Sequence, residues 1–97
     1  MTQFLDMLNE EIEIGKPYMY TNNEGHVVYC VVKNKSEKIV FRSKQNLVKA
    51  SIQVFGMTNE NGFAIRTLTN FKKLVPVKDH SILENYAFKR LRQYFVR

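Results

Sequence analysis

His26-Val27-Val28-Tyr29-Cys30-Val31-Val32-Lys33 is the stretch that decides the fold. Six consecutive residues, Val27 to Val32, are apolar on both faces, and most of them are β-favouring. A strand with no polar face belongs at the centre of a sheet, covered on both sides, on one side by a helix. The same run is the longest unbroken apolar segment of the chain, far short of the roughly 20 residues that cross a bilayer.

Turn signals and alternation extend the sheet in both directions. Upstream, Asn22-Asn23-Glu24-Gly25 is a hairpin turn, and residues 18–21 form a short strand before it. Downstream, Asn34-Lys35-Ser36-Glu37 reads as a second turn. Residues 38–44 then alternate, with Ile39 and Phe41 on one face and Lys38, Arg42 and Lys44 on the other. In residues 49–55, Ala50, Ile52 and Val54 alternate with Lys49, Ser51 and Gln53. Residues 43–48 also suit the start of a helix, so residues 47–55 are open between strand and helix. Residues 56–62 read as a polar loop, and residues 63–69 and 71–77 as strands, with Pro76 at an edge or an end.

Both ends of the chain carry helical spacing. Thr2 can cap a helix on which Phe4, Leu5, Leu8 and Ile12 share a face, stopped by Gly15 and Pro17. At the other end, Ser81 and Glu84 make a capping box, followed by a stripe of Leu83, Ala87, Leu91, Tyr94 and Phe95. The expected class is therefore α+β: a small bent antiparallel sheet or an SH3-like partly open barrel over residues 15–77, with an N-terminal and a C-terminal amphipathic helix. The order of strand, turn, long apolar strand, turn and basic alternating strand resembles Tudor-like or SH3-like barrels in outline. No diagnostic motif accompanies it. With 97 residues and no linker-like tract or repeat, residues 1–97 read as one domain.

Charge is segregated along this chain. The net +6 divides into −4 over residues 1–13, which hold four acids and no base, and +10 over residues 14–97, where fifteen bases face five acids. The acidic start is the reverse of a cationic leader, and the single cysteine, Cys30, allows no intrachain disulfide; both fit a cytoplasmic protein. Ten lysines against five arginines, with no tryptophan, suit an AT-rich bacterial or phage genome.

Nothing in the sequence assembles catalytic chemistry. His26 and Cys30 are four residues apart on a strand, roughly 13 Å, too far for a nucleophile–base pair. His80 beside Asp79 suits a helix start better than proton transfer. One cysteine and two scattered histidines cannot supply the four ligands of structural zinc, and the four glycines stand singly at turns rather than in a phosphate loop. No enzyme activity, metal site or cofactor is expected.

The basic residues remain as the functional candidates. Lys33, Lys35, Lys38, Arg42 and Lys44 cluster around one hairpin, with Tyr18, Tyr20 and Tyr29 nearby as rings on which bases could stack. Lys89, Arg90 and Arg92 lie on the C-terminal helix, where they also offset the helix dipole. Lys49, Arg66, Lys72 and Lys73 extend either patch only if the fold gathers them. The reading is a small non-catalytic nucleic-acid-binding protein of low sequence specificity, its ligand DNA or RNA. The alternative is a protein-interaction module, such as a phage-type modulator of a host enzyme or transcription factor. Self-association as a homodimer fits an exposed strand edge, and membrane binding is not expected.

Overall fold

The apolar run lies at the centre of a sheet, as its two-sided pattern requires. The computed structural model describes residues 2–42, 45–57 and 62–95. Five antiparallel strands, β1 (Pro17–Thr21), β2 (Val27–Arg42), β3 (Gln45–Met57), β4 (Ala64–Leu68) and β5 (Val75–Pro76), are ordered β4-β3-β2-β1-β5. β1 and β2 are joined where the Asn22 side-chain oxygen accepts the backbone N–H groups of Glu24 and His26 at 3.0 and 2.9 Å. Gly25 supplies the positive φ of +84° that this turn needs. Residues 47–55, open in the sequence, are strand throughout.

The sheet does not close. β4 and β5 are its two edges and do not pair with each other, so the molecule is an α+β protein with an open five-stranded sheet and not the SH3-like barrel expected. Residues 71–77 are not one strand: Phe71–Lys73 form a 3₁₀ turn, and only Val75–Pro76 pair with β1, at the edge where Pro76 was expected.

Alternate residues of β2 serve two cores. Val28, Cys30 and Val32 join Ile52 and Val54 of β3 with Ile12, Tyr18, Tyr20, Phe71 and Leu74, and Phe4 packs at the margin. Val31 faces the other way, into a second core with Val77, Phe88 and Leu91, flanked by Tyr29 and Phe55. The covering helix of this second core comes from the C-terminal segment. It is broken in two: α1 (His80–Leu83) starts at Asp79, and α2 (Tyr86–Leu91) restarts at Asn85, whose side chain accepts the Phe88 N–H at 2.9 Å. Asp79 displaces the expected Ser81–Glu84 capping box. Its carboxylate accepts both the backbone N–H and the hydroxyl of Ser81 at 2.8 Å, which holds its pKa below the ordinary value. No described helix is long and apolar enough to cross a membrane.

The first core is closed by the N-terminal segment, and here the expected helix is absent. Asp6 is buried at 2% exposure, and its Oδ1 accepts the backbone N–H groups of Leu8 and Glu10 at 2.8 and 3.1 Å. These are donors that a helix would have used, and a carboxylate at this spacing competes for them effectively. Asn9 turns the chain with φ of 65°, Leu5 bridges Glu11, and the Ile12 N–H donates to the Phe4 carbonyl at 2.8 Å. The turn brings Phe4 and Ile12 to the core that helical spacing also suggested, by a different path.

Two predictions arise from this packing. An ideal Cβ at Gly56 would lie 2.7 Å from both the Cys30 Cβ and the Tyr29 carbonyl oxygen, and neither a central-strand backbone nor its Cβ can move aside. Gly56→Ala is expected to cost about 1–3 kcal/mol as overpacking, read as a lower urea midpoint; an unchanged midpoint would refute the close approach.

The second concerns pH. Burial raises Tyr18 and Tyr20 above their ordinary 10.0 and raises Cys30 above its ordinary 9.0. The folded chain keeps protons that the unfolded chain releases in this range. The stability from these groups is therefore fully present below about pH 9 and is lost as pH rises beyond it. Thermal melts between pH 8 and 11 should show a falling midpoint, and a flat profile would contradict the burial.

Candidate nucleic-acid interface

β2 and β3 outlast their neighbours. β1 pairs with β2 only over Val27 to Val31, and β4 pairs with β3 only over Ile52 to Gly56. Beyond these, residues 36–42 and 45–51 pair with each other alone, from Ser36↔Ser51 to Arg42↔Gln45. Seven residues at strand rise make a two-stranded ribbon about 20 Å long. It accounts for the elongation of the molecule, 49 Å along one axis against 27 and 22 Å along the others.

The ribbon begins within the segment expected as a turn. Residues 34–37 continue β2, and the interruption is a β-bulge between Val32 and Asn34 that leaves Lys33 without a partner in the ladder. The bulge changes which residues face which side. Val32 pairs with Val54 in the first core, whereas Lys35 pairs with Ile52 on that same side, so odd positions replace even ones.

Side chains of paired residues share a face. One ribbon face carries Lys35, Glu37, Ile39 and Phe41 opposite Ile52, Ala50, Val48 and Asn46. Near the body it is satisfied: Lys35 stands 3.6 Å from Glu11 and over the Phe4 ring, and Glu37 accepts hydrogen bonds from the Thr2 side chain and the Thr2 backbone N–H, which together lower its pKa. Towards the tip it is apolar and open, with Ile39 74% and Phe41 70% exposed.

The other face is polar and basic near the body, and beyond Lys38 and Lys49 it carries the apolar pair Val40–Leu47, with Leu47 44% exposed. Asn34 donates to the Gln53 side-chain oxygen at 2.8 Å, Ser36 opposes Ser51, and Lys38 opposes Lys49. Asn34, Lys35, Ser36, Lys38, Ser51, Gln53 and Thr67 line a depression of about 400 Å³. Lysines directly opposite each other repel, a cost in the isolated ribbon that an anion between them would relieve. Among the described residues, neither Lys38 nor Lys49 has a carboxylate partner.

The bulge ties this face to the C-terminal bases. Lys33 Nζ lies 5.2 Å from the Tyr94 ring centroid. Tyr94, Phe63, Lys89, Arg90, Arg92 and Gln93 line a cleft of about 600 Å³ beside it. Arg90 sits 5.3 Å over Phe63 and donates to the Tyr86 hydroxyl at 2.8 Å, while Phe63 stacks on Phe55 at 5.3 Å. Glu84 holds Arg92 at 2.7 Å and Lys89 at 3.8 Å.

The expected site residues thus separate. Lys33 and Lys38 share one side with Lys89, Arg90 and Arg92, whereas Lys35 is turned to the opposite face and paired with Glu11. Arg42 occupies the last pair of the ladder opposite Gln45, and Lys44 lies outside the described residues. Tyr18 and Tyr20 belong to the first core at 2% and 4% exposure, so their rings offer no face to a base; the Tyr18 hydroxyl accepts the Glu13 N–H at 2.9 Å. A turn expected at residues 34–37 could not have shown where Lys33 and Lys35 face, because a bulge within a continuous β2 sets their phase. Lys49, Phe63 and Tyr94 join the surface in their place. Opposite-strand alternation makes Lys49 a readable counterpart of Lys38, but nothing local points to Phe63 or Tyr94.

Cys30 is fully buried, its thiol donates to the Tyr18 carbonyl, and burial pushes its pKa far up, so it is no nucleophile. The described residues contain no group of three or more His, Cys, Asp or Glu side chains placed to hold a metal ion. Comparison of the chain with family models, with curated proteins and with solved structures found no match.

Proposed function

We propose that this protein is a small non-catalytic nucleic-acid-binding protein of low sequence specificity, and that the β2–β3 ribbon is its principal contact surface. The observation that carries the reading is the Lys38–Lys49 pair, set directly across a ribbon that projects about 20 Å from the body, with Arg42 at the end of the same ladder. Phosphates relieve the lysine repulsion and release counterions as they bind. The bases are spaced along a backbone-like track without a set of side chains fixed to read base edges, which favours low specificity.

The test is a mobility-shift titration of wild-type protein against Lys38→Ala/Lys49→Ala. Removing two phosphate contacts should weaken binding to all sequences alike and reduce the salt slope by about 2. Equal affinity of the two proteins would refute the assignment.

The opposite ribbon face favours a second reading, that of a protein-interaction module. Ile39, Phe41 and Val48 form an exposed apolar strip continuous with the first core. A protein that co-purifies with one partner through nuclease treatment, and binds no nucleic acid at low salt, fits this reading instead.

A further inference from the structure

The basic ribbon face and the aromatic cleft lie on the same side of the sheet and are joined at the bulge. From the cleft, the surface runs past Lys33, through the Asn34–Gln53 pair and its depression, to Lys38 and Lys49. Lys33 to Arg42 covers about 30 Å at strand rise. One end of this track is aromatic, its middle is lined by amides and hydroxyls, and beyond these stand Lys38 and Lys49, followed by the apolar pair Val40–Leu47.

We infer that the ligand on this track is a single strand, with its backbone along the ribbon and a base stacked in the cleft on Tyr94 or Phe63. The inference rests on the nucleic-acid reading above and narrows it. A positive groove combined with aromatic rings is how single strands are held, since every base offers a π-face once it is unstacked. In a duplex, base faces are already buried in the stack, so rings at the groove end gain nothing from it. The cleft rings are poised for exchange. Arg90 covers Phe63 at 5.3 Å and Lys33 covers Tyr94 at 5.2 Å, and both cations are on exposed residues. An incoming base takes the ring face, and the displaced cation moves to the neighbouring phosphate. Glu84 offsets one charge of the four bases here, which leaves the cleft at +3.

The experiment compares a labelled oligothymidylate of about 15 nucleotides with the duplex of the same length, a site size within the span of known single-strand modules. The single strand should bind about tenfold tighter or more. Tyr94→Ala should lose about 5- to 150-fold of that affinity, the range for one stacked base, and Tyr94→Phe should retain it. Duplex binding equal to or tighter than single-strand binding overturns the inference and leaves the broader reading standing. No binding to either at low salt overturns the broader reading itself. Wild-type affinity in Tyr94→Ala also overturns the inference. Because the chain contains no tryptophan, Tyr94→Trp provides a single reporter independent of the alanine variant. Its fluorescence should be quenched by the single strand and not by the duplex, and unquenched emission at saturation refutes the stacking.

Discussion

Raising salt from 50 to 200 mM should lower the affinity of this protein for nucleic acid by about 10²–10³-fold. The figure follows from counting the bases that are free to meet phosphate. Of the candidates, Lys35 is paired with Glu11, and Lys89 and Arg92 share Glu84. Among the described side chains Lys33, Lys38, Lys49 and Arg90 remain; with the sequence's Arg42 and Lys44 added, that is four to six phosphate contacts. Each contributes about −0.9 to the slope of log affinity against log salt, and the fourfold change in salt multiplies these to the stated loss. The bulk charge of +6 suggests no such count, because it includes bases that the fold neutralises internally. The measurement is a mobility shift or fluorescence anisotropy titration at four or five salt concentrations. A slope near zero would exclude a phosphate-dominated interface. A slope steeper than about −8 would mean that paired bases such as Arg92 leave their carboxylates on binding.

Phe88→Ala should destabilise the protein by about 3–5 kcal/mol, a large share of the roughly 5–15 kcal/mol that holds a domain of this size together. Phe88 is fully buried in the second core, with its ring 5.4 Å from Tyr29 in an edge contact and 6.3 Å from Phe95. It is the main side chain by which α2, only six residues long, is fixed to β2. So short a helix has little stability of its own. Losing the ring leaves a cavity that α2 cannot fill without moving. Thermal denaturation should show a fall of roughly 12 °C or more. Tyr86→Ala, on the same helix at 65% exposure, is the control, with an expected change within about 0.5 kcal/mol. Equal effects of the two substitutions would contradict the packing. Since α2 carries Lys89 and Arg90, the Phe88 variant should also lose cleft-dependent binding before it loses ribbon-dependent binding.

Hydrophobic pattern was a sound guide where each position had one task. Val27 to Val32 are apolar on both faces, and from Val28 onward both faces are covered, one by the N-terminal segment and one by the C-terminal helices, while Val27 at the strand start is 42% exposed. The Asn22–Gly25 turn and the edge position of Pro76 follow from φ preferences and a missing N–H, which act locally. The failures are places where one pattern serves two structures. Phe4, Leu8 and Ile12 have helical spacing, yet the Asp6 carboxylate captures backbone donors and makes a turn. Asn34-Lys35-Ser36-Glu37 has a turn-like composition, yet it includes neither glycine nor proline to end a strand, and cross-strand pairing carries β2 through it.

The amino-acid sequence by itself determined a central two-faced strand, a C-terminal helical cover and a segregation of charge, because these depend on residue type and local spacing. Only the tertiary structure decided which bases stand together. A single bulge at Lys33 inverts the phase of β2, sends Lys35 to the acidic side and Lys38 to the basic side, and brings Lys33 to Tyr94, sixty-one residues away in the chain. An inserted residue shifts every later side chain to the opposite face, and no local propensity specifies where it falls.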